Sequence, residues 1–317
     1  MVASEYHGKV PDLCDVLCAM MLRKRKSVTL MSDTKKDPLQ RSHFPEYVAE
    51  FLGTAALVFF GLSAVVFDFG TNLPMGQWIP SHSWRLLITG LCFAGSGSLV
   101  ALSPLGRLSG GHINPSVSLA FWLHGKMRFP DFVGYVVAQM LGGMAGAAML
   151  AGAWKKYSAS VENGMTLPGP GWPIWEVFGW EAVLTGMLVL LIFWFVSSER
   201  LMRWTPLMNW LVVATMVWQE APISGTSLNP ARSFGPALVT GVWSYQWIYA
   251  LAPPLGAICG LLIFELCTPE YRRALTGKLF HAPNYRSVFK GEGTVPETAS
   301  SRAPAEGWDA GSRSAQK

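Results

Sequence analysis

Two stretches of this chain carry the residues best suited to chemistry. One reads Gly110-Gly111-His112-Ile113-Asn114-Pro115-Ser116, and the other Gly225-Thr226-Ser227-Leu228-Asn229-Pro230-Ala231-Arg232. Neither holds a nucleophile beside a base and an orienting partner. No catalytic residue, metal site or cofactor is therefore expected, and the chain is not read as an enzyme. What the stretches offer is a pair of helix starts. Asn is among the best N-cap residues, because its side-chain oxygen can accept a free backbone N–H. Pro suits the next position, where its missing N–H costs nothing. Asn114 and Asn229 are read as N-caps, with Pro115 and Pro230 opening short helices. Each helix start carries about half a positive charge, and each Asn amide can donate to an oxygen held in front of it.

These starts need a frame to hold them. Half of the 317 residues are hydrophobic and only 14% are charged, against about 25% charged in an ordinary soluble domain. Nearly uncharged runs cover 48–67, 86–105, 132–154, 182–198, 207–219 and 243–264. A spanning helix takes about 20 mostly apolar residues. Five runs meet that length, and 207–219 reaches it by borrowing 203–206, so six spans are expected. The acids counted within them are Glu50 and Glu181 alone. The segments opening at Asn114 and Asn229 hold about ten helical residues each, roughly 15 Å, or half of a hydrocarbon core of about 30 Å.

Glu46-Tyr47-Val48-Ala49-Glu50-Phe51 is similar to Val177-Phe178-Gly179-Trp180-Glu181-Ala182. Residues 44–154 therefore correspond to 175–268, and with three spans in each half the second is inserted upside down. Interrupted segments at matching places in inverted halves point to a transport site. The fold expected is an all-α membrane protein with six transmembrane helices and two re-entrant half-helices in an inverted repeat. Where the two half-helix N-termini face each other, cations and protons meet an electrostatic barrier. A water that accepts from both Asn amides points its hydrogens away from the centre and cannot relay a proton. The backbone carbonyls of Gly110, Gly111, His112 and Ile113, and of Gly225, Thr226, Ser227 and Leu228, are candidate pore-lining acceptors. Irregular backbone at this depth is tolerated only beside a cavity. Arg232, a charge at membrane depth, is functional by default. His112 is read as a neutral pore-lining donor, and His124 as structural.

With six spans, the side that holds both termini receives 21 of the 25 Lys and Arg. Such a bias marks the cytoplasmic side. An integral protein of the plasma (inner) membrane is expected, with both termini cytoplasmic. Residues 1–43 are read as a disordered tail and 269–317 as a largely disordered one, flanking a channel domain over 44–268. The basic run Arg23-Lys24-Arg25-Lys26 is read as solvated. The apolar stretch 13–22 is too short to span and lacks the marks of a signal peptide. Cys14, Cys18, Cys92, Cys259 and Cys267 are expected to be unpaired thiols, which are commonly buried. Trp78, Trp84, Trp172, Trp175, Trp204, Trp243, Tyr245 and Trp247 are read as interfacial anchors.

From about 46 to 266 these residues resemble the aquaporin, or major intrinsic protein, family. Its twin Asn-Pro-Ala boxes correspond to Asn114-Pro115-Ser116, where Ser replaces Ala, and to Asn229-Pro230-Ala231. The resemblance implies that these boxes form the pore constriction and that Arg232 belongs to an aromatic/arginine filter. The other filter positions would be Val217, Thr226, and either Phe93 or Ala94. Glu50 and Glu181 would brace the loops. Gly142-x-x-x-Gly146 and Gly256-x-x-x-Gly260 would allow close helix contact. The resemblance also implies a homotetramer in the lipid bilayer, with one pore per subunit; no nucleic-acid partner is expected. Strict water channels of the family place His where this chain has Val217, whereas glycerol-conducting members place Asp where it has Ser233. The function expected is a passive, proton-excluding water channel that also passes small neutral solutes. The alternative is a facilitator of the glycerol, urea or ammonia class with water secondary. An ion-coupled transporter and a non-conducting structural member are the remaining rivals.

Overall fold

The computed structural model describes residues 43–268, 274–282 and 284–290. Cys14, Cys18 and the basic run at 23–26 lie outside the described residues. Eight helices build the frame: α1 Phe44–Phe69, α2 His82–Leu102, α3 Pro115–Leu123, α4 Phe129–Trp154, α5 Ile174–Val196, α6 Thr205–Ser224, α7 Pro230–Thr240 and α8 Gln246–Cys267. No strand occurs among the described residues. Six of the eight have 20 to 26 residues, while α3 and α7 have 9 and 11.

Each of the six expected apolar runs falls largely within one of the six long helices, with 103–105, 197–198 and 243–245 outside them. By length and composition α1, α2, α4, α5 and α8 can each cross a membrane. Helix α6 has the length, but Asn209, Gln219 and Glu220 dilute its hydropathy. It also runs past 219, where its apolar run ends, to Ser224. That extension adds Glu220, and the long helices also bury Glu46, Asp68, Asp131 and Glu265 beside Glu50 and Glu181. The count of two acids in the spans is thereby corrected, because helix geometry outlasts the apolar stretch that signals it.

The two halves pack alike. Helix α1 lies along α4, and α5 lies along α8, while α2 packs on α6 across the halves. Glycines set the first two contacts. A Cβ on Gly142 or Gly146 would stand 2.4 or 2.5 Å from the carbonyl oxygens of Phe51 and Ala55. On Gly256 or Gly260 it would stand 2.0 or 2.1 Å from those of Ala182 and Gly186. The four oxygens sit at corresponding places after Glu50 and after Glu181, so the inverted repeat extends to backbone contacts. The short helices also pack across the halves: α7 of the second half lies on α4, and α3 of the first half on both α8 and α4.

Two details were not legible in the sequence. Within 269–317, expected to be largely disordered, the described residues 274–282 and 284–290 pack under the bundle, with Ala274, Leu279, Ala282, Val288 and Phe289 all buried. This short apolar set is too sparse to signal an element, yet it finds a ready-made apolar floor. The cysteines within the described part, Cys92, Cys259 and Cys267, are unpaired as expected but exposed, on the outer faces of α2 and α8. In a bundle bounded by lipid, an apolar side chain need not face inward. The eight anchor residues at span ends are all exposed, as interfacial anchors require.

Candidate functional site

The site begins with two caps. Asn114 holds an extended backbone, and its Oδ1 accepts the Ser116 N–H at 2.9 Å; Asn229 does the same for the Ala231 N–H at 3.0 Å. Each amide nitrogen then reaches across the pseudo-symmetry. Asn114 Nδ2 donates to the Leu228 carbonyl at 2.9 Å, and Asn229 Nδ2 donates to the Ile113 carbonyl at 2.8 Å. One N–H of each amide is thus used to lock the two helix starts together. The second N–H of each remains for a ligand, and both Asn residues border the same cavity of about 100 Å³.

The residues before each cap are held by a buried carboxylate. Glu50 accepts from the Ser109 hydroxyl, the His112 and Ile113 N–H groups and the Gln139 amide, at 2.6 to 3.0 Å. Glu181 accepts from the Ser224 hydroxyl and the Ser227 and Leu228 N–H groups, at 2.5 to 2.9 Å. Ile113 and Leu228, each just before its Asn, have φ of +42° and +54°. Bulky side chains avoid this left-handed region, so the conformation depends on those carboxylate bonds.

A second cavity, of about 460 Å³, opens toward the face where α2, α5, α7 and α8 start or end against 155–173. Phe93, Val217 and Thr226 border both cavities and so stand between them. Arg232 borders the outer cavity; it is 5% exposed, and its guanidinium stands 5.5 Å from the centre of the Phe93 ring. Its Nη1 donates to the Gly164 carbonyl at 2.7 Å, and its buried Nε has no protein partner. Ala94 borders only the inner cavity. Of the two alternatives on α2, Phe93 is therefore the residue in contact with Arg232.

Several sequence-based placements shift. Gly111, His112, Ile113, Thr226, Ser227 and Leu228 border the inner cavity and Gly225 the outer one, while Gly110 borders neither. Pro115, Ser116, Pro230 and Ala231 line neither cavity; their work is to start α3 and α7. The Ser116 hydroxyl is fully buried without a partner. His112 is not a free donor, since both ring nitrogens are engaged with protein. Nε2 must be its donor, because it faces the Gly277 carbonyl at 2.9 Å. Nδ1 then accepts from the Ser118 hydroxyl at 3.1 Å, and Ser118 in turn accepts from Gln139. His124 is structural as read, with Nδ1 at 2.7 Å from Glu265 and Nε2 accepting the Ala274 N–H.

Three contributors carry no signal in the sequence. Gly164 sits in a turn where Glu162, Asn163 and Gly164 all have positive φ, which presents its carbonyl to Arg232. Glu220 accepts the Thr226 hydroxyl at 2.6 Å, while its other oxygen is buried without a partner. Leu279, from the C-terminal segment, borders the inner cavity. A Gly in a loop, an acid past the end of an apolar run and a Leu in a polar tail look ordinary until the chain is folded.

The arrangement can pass a small neutral molecule between paired amide donors while offering no reacting group. Comparison with known proteins agrees with that geometry. Residues 39–264 match the family described as major intrinsic protein. Aquaporin AqpM of Methanothermobacter marburgensis is 33% identical over 241 residues, which cover 70% of this chain and 97% of that protein. Aquaporin-8 of Rattus norvegicus is 33% identical over 261 residues, 78% of this chain and 91% of the relative. The X-ray structure of the aquaglyceroporin from Plasmodium falciparum shares the fold, with 23% identity, a TM-score of 0.60, and coverage of 73% of this chain and 99% of that one. Since the matched stretch includes both capped helix starts and the glycine contacts that bind each half together, the chain belongs to the major intrinsic protein family.

Proposed function

We propose that this membrane protein is a passive water channel that excludes protons and whose path runs through the two cavities. The observation that carries this reading is the reciprocal lock of Asn114 and Asn229. It fixes two positive helix starts at one point and leaves one amide N–H on each Asn for a passing oxygen. A water held there donates outward to both sides, which breaks a proton wire, and the helix ends repel cations. We assign Phe93, Val217, Thr226 and Arg232 as the filter. Their shared border between the cavities and the Arg232–Phe93 contact support that assignment. The relatives named aquaporin support water as the solute.

A second reading has its own support. Val217 puts an aliphatic wall where a strict water filter places a ring donor, and the outer cavity has room for more than water. Small neutral solutes are therefore proposed as secondary substrates. The orientation proposed has both termini cytoplasmic in the plasma membrane. By family resemblance, four copies assemble with one pore each.

The test is stopped-flow light scattering on proteoliposomes. Water permeability above that of bare lipid, with low activation energy and no saturation, is expected, together with a slower flux of urea or glycerol. Saturable uptake driven by a proton gradient, or water flux equal to bare lipid, would sink the channel reading.

A further inference from the structure

The C-terminal segment reaches the inner cavity, which Leu279 borders. Residues 274–282 and 284–290 lie beside it, bonded to the start of α1, to the loop before Asn114, to His124 and Lys126, and to the end of α5. The Leu279 N–H donates to the Gly110 carbonyl at 2.9 Å, and the Leu279 side chain borders the cavity that holds Asn114 and Asn229. Gly110 was a candidate lining acceptor; here the segment takes its carbonyl. The His112 ring, next in the loop, donates to the Gly277 carbonyl. Lys278 is 1% exposed, and its Nζ donates to the carbonyls of Arg107, Tyr285 and Arg286. Arg286 grips buried Glu46 with two nitrogens, at 2.5 and 2.6 Å. The Phe289 ring lies 5.2 Å from the His112 ring. It also fills the space a Cβ would need on Gly110 (2.8 Å away) and on Gly277 (2.3 Å away).

We propose that the surface beside the inner cavity formed by Gly110, His112, Arg107 and Glu46 is a docking surface whose occupant is the chain's own C-terminal segment, residues 274–282 and 284–290, and that docking closes the water path at Leu279. The fit is built rather than incidental. A buried lysine is expensive unless its charge is met by several acceptors, and a carbonyl cage of three supplies them. The bidentate Arg286–Glu46 pair is among the strong polar contacts of proteins. The segment lies beyond the family match, which ends at residue 264. In this proposal the contact acts as a separable lid over the pore, and its docked fraction sets the permeability of the full chain.

The inference rests on the cavity of Asn114 and Asn229 being the water path. Two variants test it by stopped-flow osmotic shrinkage of proteoliposomes, beside the full chain and bare lipid. The first ends the chain after Thr268. The second, Leu279→Gly, keeps the segment and its N–H bond to Gly110 but removes the side chain that floors the cavity. Each is assayed only if it elutes as a single species in detergent, and Leu279→Gly decides alone if the truncation does not fold. Permeability per channel is expected to rise at least roughly threefold in both, the factor being the inverse of the open fraction in the full chain. Permeability equal to that of the full chain in every folded variant overturns the inference. If all of them share a high value, the segment does not close the path. If all of them match bare lipid, the channel reading has failed as well.

Discussion

At the scale of single residues, Asn229 does two jobs that substitution can separate. Its Oδ1 caps α7, and its Nδ2 locks onto the Ile113 carbonyl. Asp caps a helix as well as Asn does, so Asn229→Asp keeps the cap but replaces the donor by a carboxylate. The expected result is a folded protein with reduced water permeability and a new leak of cations, read by osmotic shrinkage and by a pH-sensitive dye inside the same liposomes. Unchanged flux of both kinds would remove Asn229 from the water path. Ser116 is the opposite case. Its hydroxyl is buried, lines no cavity and has no partner. Burying an unpaired hydroxyl costs about 1–3 kcal/mol, of which part is recovered by local packing. Ser116→Ala is expected to leave water flux unchanged and to raise thermal stability by about 1 kcal/mol, measured by unfolding in detergent. The departure from Ala in the first box is a cost in stability and leaves the pore lining as it was.

At the scale of elements, the weight falls on the contacts α1 with α4 and α5 with α8. In a membrane, apolar burial does not drive helices together, so close packing of small residues must do it. Gly256 brings α8 against the backbone of α5 at Ala182, the residue after the bracing Glu181. Gly256→Val would push the helices apart there and displace the carboxylate that holds Ser227 and Leu228. A loss of about 1–3 kcal/mol or more is expected from overpacking alone, seen as a lower unfolding temperature. Water flux should fall with it, because Leu228 carries the carbonyl that locks Asn114. Gly152, which has open space around it, is the control position, where Ala should change neither reading. The same logic explains why the short helices pack across the halves. Each half presents its cap to the other, so neither half can form the paired site alone.

At the scale of the whole molecule, one face gathers Glu46, Arg107, Lys126, the end of α5 at Val196, and the C-terminal segment bonded to all four. These are the regions that carry most of the Lys and Arg, and the positive-inside rule supports the cytoplasmic placement proposed for that face. An epitope tag added after Lys317 is expected to be hidden from antibody in intact cells and reached after permeabilisation. Staining of intact cells would reverse the orientation, and with it the side from which the lid closes.

The sequence by itself determined the family, the all-helical membrane frame, the two capped half-helices and the inverted repeat. Each follows from local chemistry: run length, the Asn-Pro start signal, and matching residues around Glu50 and Glu181. A bracing role for those acids was also legible by resemblance, and each accepts hydrogen bonds from the residues just before its box. The tertiary structure alone decided which residues stand together between the two cavities. Phe93 rather than Ala94 meets Arg232, Gly164 receives its N–H, and Glu220 holds Thr226. It alone also folded part of the polar tail against the inner cavity. The reason is physical: a helix start is written in neighbouring residues, whereas a passage is made by side chains from distant segments. Leu279 and Gly110 are far apart in the chain, and only packing brings the N–H of one to the carbonyl of the other.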